Sequence, residues 1–475
     1  MKPTTRMGRA LFAAALASLA CPLGAQSAYA AALDGAAMSP LLGLPFAGML
    51  LSIALFPLLA PDFWHHHYGK VTAVWGALAL APMALIYGPS TAWESVFHVL
   101  ALEYAPFILL LLALFTAAGG IVVRGNLHDT PVANTMLLAA GGACASVIGT
   151  TGAAMVFIRP LLRANDDRKH IAHVVVFFIF IVANVGGSLT PLGDPPLFLG
   201  FLRGVDFFWT TKYLFKETAL IFVLLLAIFY ALDTYMQRRE PERMVDTTPD
   251  APLRVTGLVN LALIGVVIGA ILMSATWKPG IGVTLFGTRL EIQNLLREAI
   301  MIVVAIASIK LTMAQDRKEN GFEWGPIIEV GKLFAGIFIC IIPVLAMLQA
   351  GKAGPFAGLV GLVTNADGSP NNAAYFWLTG ALSSFLDNAP TYLVFFQLAG
   401  GDPVQLMGPL SKTLEAISLG AVFMGANTYI GNAPNFMVYA IARQAGVNMP
   451  SFFGYMLWSG AVLIPLFALI TFLYF

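Results

Sequence analysis

Two acids stand where a membrane-embedded chain can least easily hold them. Asp194 lies in GGSLTPLGDPP (186–196) and Asp387 in SSFLDNAPT (383–391), both inside long apolar stretches. Each is surrounded by small, oxygen-bearing residues. Asn184 and Thr190 accompany the first; Ser383, Ser384, Asn388 and Thr391 accompany the second. Asn427, Thr428 and Asn432 interrupt a third apolar stretch, and Thr150 with Thr151 interrupts a fourth. A carboxylate at membrane depth is costly, so by default it marks an ion or proton path. Hard cations such as sodium prefer carboxylate, carbonyl and hydroxyl oxygens, and these four segments supply all three. Sodium is therefore expected at Asn184, Asp194, Asp387 and Asn388. Proton and cation compete for the same carboxylate, so such a set can exchange one for the other. Asp is also a favoured helix N-cap, which is the plain structural use of either acid.

The segments recur at one offset, 238 residues. Gly142, Ala143, Ser146, Val156 and Phe157 return as Gly380, Ala381, Ser384, Val394 and Phe395. Gly187, Thr190, Gly193 and Pro196 return as Gly425, Thr428, Gly431 and Pro434. The matches fall on residues that break helices. Gly and Pro stop a helix in mid-membrane and leave free carbonyls at one half-helix end and free N–H groups at the other. Those ends attract cations and anions respectively, and paired interruptions in two halves are a pointer to a transporter binding site. The repeats differ chemically: Asp194 corresponds to Asn432, and Asp387 to Gly149.

The elements that must position these residues follow from composition. Of 475 residues, 58% are hydrophobic and 11% charged. Apolar runs of about 20 residues recur, each enough to cross a hydrocarbon core, and they are continuous rather than alternating, hence helices. The sequence predicts an all-α polytopic membrane protein with ten spans, near 41–60, 71–88, 101–123, 171–202, 218–236, 256–276, 297–313, 327–349, 413–442 and 454–475. Segments 131–163 and 371–400 are polar at their middles and read as re-entrant hairpins, with tips near 149–151 and 387–389. The spans 171–202 and 413–442 read as broken helices. Residues 31–236 and 256–475 form two repeats joined by a cytoplasmic linker, 237–255. Five spans separate the hairpins, an odd number, so the repeats are expected to be inverted. Loop charges such as Arg124, Arg163, Arg168, Arg238, Arg239 and Arg317 fall on one side of this scheme, as the positive-inside rule requires.

Lys2, Arg6 and Arg9, the apolar run 11–23 and Ala28-Tyr29-Ala30 fit a signal peptide over residues 1–30. The net charge of +1 points to no nucleic-acid partner. Cys21, Cys144 and Cys340 form no disulfide or metal framework. His65, His66 and His67 read as a solvated basic cluster, and Glu103 as an interfacial acid.

The motifs NVGGSLTPLGDPP (184–196) and SSFLDNAPT (383–391) resemble those of the ion transporter superfamily. That group includes NhaD-type sodium/proton antiporters, divalent-anion/sodium symporters, citrate transporters and arsenite pumps. The resemblance covers nearly the whole chain after residue 30. It implies a scaffold and a transport domain in a bacterial-type inner membrane, a homodimer, and one sodium site at each hairpin tip and its broken helix. One site would use Thr150, Thr151, Asn184 and Asp194; the other Ser384, Asp387, Asn388 and Asn427. The Asn-to-Asp spacing of NhaD-type broken helices is present as Asn184 and Asp194. Their Asp-Asn pair in the first hairpin is replaced here by Gly149-Thr150, and the Thr residues after the Asp by Pro196 and Leu197.

Two transport readings follow. One is a sodium/proton antiporter, favoured by acids at the breaks with few basic residues near them. The other is a sodium- or proton-coupled symporter of citrate or another di- or tricarboxylate, bound by free N–H groups. No enzyme is expected: no Gly-x-Ser-x-Gly or His-Glu-x-x-His occurs, and no cofactor beyond transported or coupling sodium ions and protons is implied.

Overall fold

The computed structural model describes residues 33–126, 130–240 and 251–475. The expected signal segment 1–30 and part of the linker lie outside the described residues. The chain is an all-α polytopic membrane protein. Eight described helices are long and apolar enough to cross a membrane, and a ninth span is Gly325–Cys340 with Ile342–Gln349, bent by 42°. Pro343, in the first turn after the bend, has no N–H to continue the ladder. Setting aside Pro131–Ile148, which is a hairpin arm, and counting the two broken helices returns the ten expected spans. Many outward side chains are large and apolar; Leu85 and Phe472 are each 87% exposed. Such a surface suits lipid rather than water.

Several boundaries shift. The second span begins at Pro61, not near residue 71, after a one-residue break at Ala60. Proline is pre-organised for the first helical position, so Pro61 restarts the helix at once. The third span is continuous from Pro89 to Ala118, with a π-helical segment at Leu100–Tyr104. It ends before 123, where Gly119 and Gly120 intervene. The β-branched residues that follow form a strand instead, Val122–Asn126, paired antiparallel with Ala251–Thr256. The expected linker is therefore partly structured. Arg124 holds this strand pair down, bonding Asp316 at 2.8 Å and Glu319 at 2.9 Å.

The first hairpin is Pro131–Ile148, a single turn residue, and Thr150–Arg163. The turn is Gly149 at φ 79°, a left-handed conformation that a side chain would strain. The second hairpin is Asn372–Ser383 and Asn388–Leu398, joined by residues 384–387. In each, the two arms pack on one another. The broken helices are Ala172–Ile181 with Pro195–Leu202, and Ser411–Met424 with Ala433–Gln444. In both, a short 3-10 turn (Val185–Gly187 or Gly425–Asn427) sits inside the break.

Candidate ion-binding site

Hydrogen bonds repeat across the two halves at the sequence offset. Thr190 Oγ1 donates to the Ser146 carbonyl, and Thr428 Oγ1 donates to the Ser384 carbonyl at 2.5 Å. Ser146 Oγ donates to Gly186 O at 2.6 Å, and Ser384 Oγ to Met424 O at 3.0 Å. Each hairpin thus satisfies carbonyls freed in its broken helix, and each break offers a threonine in return. Unpaired buried carbonyls would be costly, so these bonds fix where the backbone stops being helical. Within the first break, Gly193 lies so close to Gly187 that an added Cβ would stand 2.1 Å from the Gly187 carbonyl oxygen.

The breaks aim their side chains at one carboxylate. Asp194 is 1% exposed. It occupies the N-cap position of Pro195–Leu202 yet makes no capping bond. Its Oδ1 accepts from Thr150 Oγ1 at 3.2 Å and from Asn432 Nδ2 at 3.4 Å. Its Oδ2 accepts from Asn388 Nδ2 in a short contact. Both hairpins and both broken helices therefore contribute to this carboxylate. Asp387 interacts electrostatically with it, and differs in use: it caps Asn388–Leu398 by accepting from Ala389 N at 3.0 Å.

One hydrogen bond links the two implied ion sites, one per repeat. Asn388, expected in the second, meets Asp194 of the first. Asn184 does not reach Asp194 by any direct bond. Its amide donates to Ile179 O at 2.8 Å and to Asn435 Oδ1 at 2.7 Å. Asn435 in turn donates to Gly425 O and Thr428 O, at 2.9 and 3.0 Å, bridging its own break. Asn435 went unnoticed in sequence; its only signal is a second buried amide one turn after Asn432. Asn427 donates to Ser384 Oγ at 2.9 Å, Ser383 Oγ to Ala421 O at 2.6 Å, and Thr391 Oγ1 to Asp387 O at 3.0 Å. These three donors support the hairpin tip and the break without touching Asp194 directly.

The oxygen supply exceeds the donors. Among the described residues, Asn184 Oδ1, Asn388 Oδ1 and Asn427 Oδ1 are buried with no hydrogen-bond partner. Of these, Asn388 is the one bonded to Asp194, and an orphaned amide oxygen beside a carboxylate suits a hard cation or a polarised water. Beside Asp194 lies a cavity of about 80 Å³, reached by Thr150 and Thr151 and walled by Leu111, Phe115, Ile327 and Val330. A space of that size holds several waters. Among the described residues no lysine or arginine lines it.

Other sequence candidates lie elsewhere. His66 and His67 bond carbonyls one turn back on their own helix, Asp62 O at 2.8 Å and Phe63 O at 3.1 Å. Among the described residues no three of His, Cys, Asp and Glu are grouped to hold a metal. Glu103 is buried against the protein. Both its carboxylate oxygens accept from Arg203 Nη2, at 2.9 and 3.0 Å.

A family model described as "Putative citrate transport" matches residues 35–475. Two uncharacterized transporters, Mb2703 of Mycobacterium bovis and Rv2684 of Mycobacterium tuberculosis, are each 24% identical to the chain over 332 residues, covering 67% of it and 71% of theirs.

Proposed function

The chain belongs to this citrate-transport family, and on that premise we propose a secondary transporter in which sodium and protons compete for Asp194. The observation that supports it is the convergence of Thr150, Asn388 and Asn432 on a buried carboxylate with no cationic side chain beside it. Neutral donors orient Asp194 but do not cancel its charge, so a cation or a proton must do so inside the membrane. Exchange of the two across the membrane is sodium/proton antiport. The sodium ligands would be Asp194, Asn388, Thr150 and Asn432, with Asp387 adding attraction and Asn184 and Asn427 offering their free amide oxygens. A bacterial-type inner membrane, inverted repeats and a homodimer belong to the same proposal.

A second reading has its own support. The family is described as "Putative citrate transport". The helices beginning at Thr150 and Asn388 also start at the site; Thr150 N donates to Gly193 O and Ala389 N to Asp387 Oδ1, and the other N–H groups of those first turns could hold a carboxylate next to a bound cation. Calorimetry on purified protein separates the two. Antiport requires proton release on sodium addition, sodium binding that weakens as pH falls, and indifference to citrate. Sodium binding that appears only with citrate present, without proton release, makes the symporter the correct reading.

A further inference from the structure

The cavity beside Asp194 is chemically unlike the carboxylate it adjoins. Among the side chains that line it, only those of Thr150, Thr151 and Asp194 carry oxygen or nitrogen. The rest is apolar and comes from both sides. Leu111 and Phe115 belong to the span Pro89–Ala118, and Ile327 and Val330 to the bent span Gly325–Cys340. Phe198 belongs to the second half of the first broken helix. A bare sodium ion gains nothing from such walls, because they offer it no ligand oxygen. An alkyl group does gain, by about fourfold in affinity for each methylene taken out of water.

The charge at the end of the cavity has one sign. Asp194 lines it, Asp387 adds to the negative potential, and among the described residues no lysine or arginine opposes them there. A polycarboxylate would set its surplus charges against leucine, phenylalanine and Asp194 itself, a costly burial. A cation with a short apolar body meets complementary surface at both ends. Acceptors are at hand for its N–H groups. A carboxylate oxygen can accept twice, and Asp194 Oδ2 accepts from Asn388 Nδ2. Asn388 Oδ1, on the same amide, is buried with no donor. Thr150 Oγ1 donates to Asp194 and keeps its lone pairs for a further donor.

We propose that the Asp194 site takes a short primary alkylammonium in competition with sodium. The ammonium lies against Asp194, Thr150 and Asn388, and the alkyl body fills the cavity between Leu111, Phe115, Ile327 and Val330. This specificity rests on Asp194 being a cation site, and it extends the substrate class from inorganic to organic monocations.

Calorimetric sodium titration of the purified full-length protein tests it, at fixed concentrations of methyl-, ethyl-, propyl- or butylammonium chloride. Alkylamines, like lysine, stay protonated at neutral pH. Each should raise the apparent sodium Kd. The displacing affinity should rise about fourfold per added carbon until the cavity is full. Detergent micelles also take up longer amines, so the slope is measured again in Leu111→Phe and Val330→Phe, each of which fills part of the cavity. The slope with chain length should flatten in both, and the second position serves where the first fails to fold. Displacement equally weak at every chain length, or a slope kept in a folded variant, overturns the proposal. Sodium binding that no amine displaces also overturns it and leaves the sodium reading of Asp194 standing. Propylammonium binding with the expected slope, in a protein that binds no sodium, upholds the organic cation and removes sodium instead.

Discussion

The Asn388 side chain donates to Asp194 Oδ2 across 194 residues of sequence. It joins the tip of the second hairpin to the break of the first broken helix, so the two repeats share one carboxylate. Asp194→Asn keeps the size of the side chain and removes the charge that Thr150, Asn388 and Asn432 point at. Hydrogen bonds to a charged group are worth about 1.5–3 kcal/mol each, so sodium affinity should fall roughly tenfold to hundredfold or more. The variant should still insert and purify as folded protein, because Asp194 makes no cap bond. Calorimetric sodium titration checks this, with undiminished affinity as the contrary result.

Asp387 separates capping from charge. It caps Asn388–Leu398 through Ala389 N at 3.0 Å. Asn caps as well as Asp does, whereas Ala loses about 1 kcal/mol. Asp387→Asn should therefore keep the wild-type melting temperature and weaken sodium binding less than Asp194→Asn does. Asp387→Ala should lower both. Equal sodium affinity in the wild type and Asp387→Asn would leave Asp387 as a cap alone.

The parts of this site that were legible in sequence are those where composition breaks its own rule. Glycine, proline and Asp194 stand out in apolar spans because each carries a penalty there that packing must offset. The repeat was legible for the same reason, and the paired Thr190–Ser146 and Thr428–Ser384 bonds carry it into the structure. Contacts between repeats were not legible. Nothing in the spacing of Asn388 or Asn435 says that they face Asp194 and Asn184, since that depends on how two halves dock. The strand pair 122–126 with 251–256 was hidden because its partner is more than a hundred residues away and both runs are short.

Gly149 and Gly193 test the backbone argument. Gly149 has φ 79°, and a Cβ there would also stand 3.3 Å from the Leu192 carbonyl oxygen. Gly149→Ala should cost about 1–3 kcal/mol, because φ 79° with ψ 151° is a conformation that essentially only glycine adopts. Gly193→Ala should be worse, because its Cβ would meet the Gly187 carbonyl oxygen, at 2.1 Å, in rigid backbone. Overpacking of that kind costs about 1–3 kcal/mol or more and displaces the neighbouring Asp194. Thermal unfolding followed by size-exclusion fluorescence should rank wild type, Gly149→Ala and Gly193→Ala in that order of falling stability. A Gly193→Ala protein as stable as the wild type would mean that the two strands of this break are not held as closely as described.

Glu103 and Arg203 predict how the arrangement is biased. Glu103 belongs to the span Pro89–Ala118, and Arg203 follows the second half of the first broken helix. Their bond therefore fastens that span to the element that carries Asp194. The cavity beside Asp194 is walled by residues of the same span further along, Leu111 and Phe115, and by Ile327 and Val330. The span is thus fastened to that element at Glu103, borders the cavity along its middle, and packs on the first hairpin near Ala118. If transport moves the hairpins and broken helices against this span, the ion pair must break in the opposite arrangement. Glu103→Gln weakens a contact that this arrangement alone enjoys, and an equilibrium shifts by the difference in interaction free energy between its states. The pair is partly exposed, with side-chain exposures of 21% and 11%, so a contribution of about 1–2 kcal/mol is expected, a shift of roughly tenfold. A cysteine placed at Thr151, in a background with the native cysteines replaced, reports the cavity. Its reaction with a thiol reagent should slow by that factor in Glu103→Gln and again in Arg203→Gln. The double variant should react no more slowly than the slower single one, because both remove the same bond. Unchanged rates in both single variants would show that the ion pair holds the two elements together without favouring either arrangement.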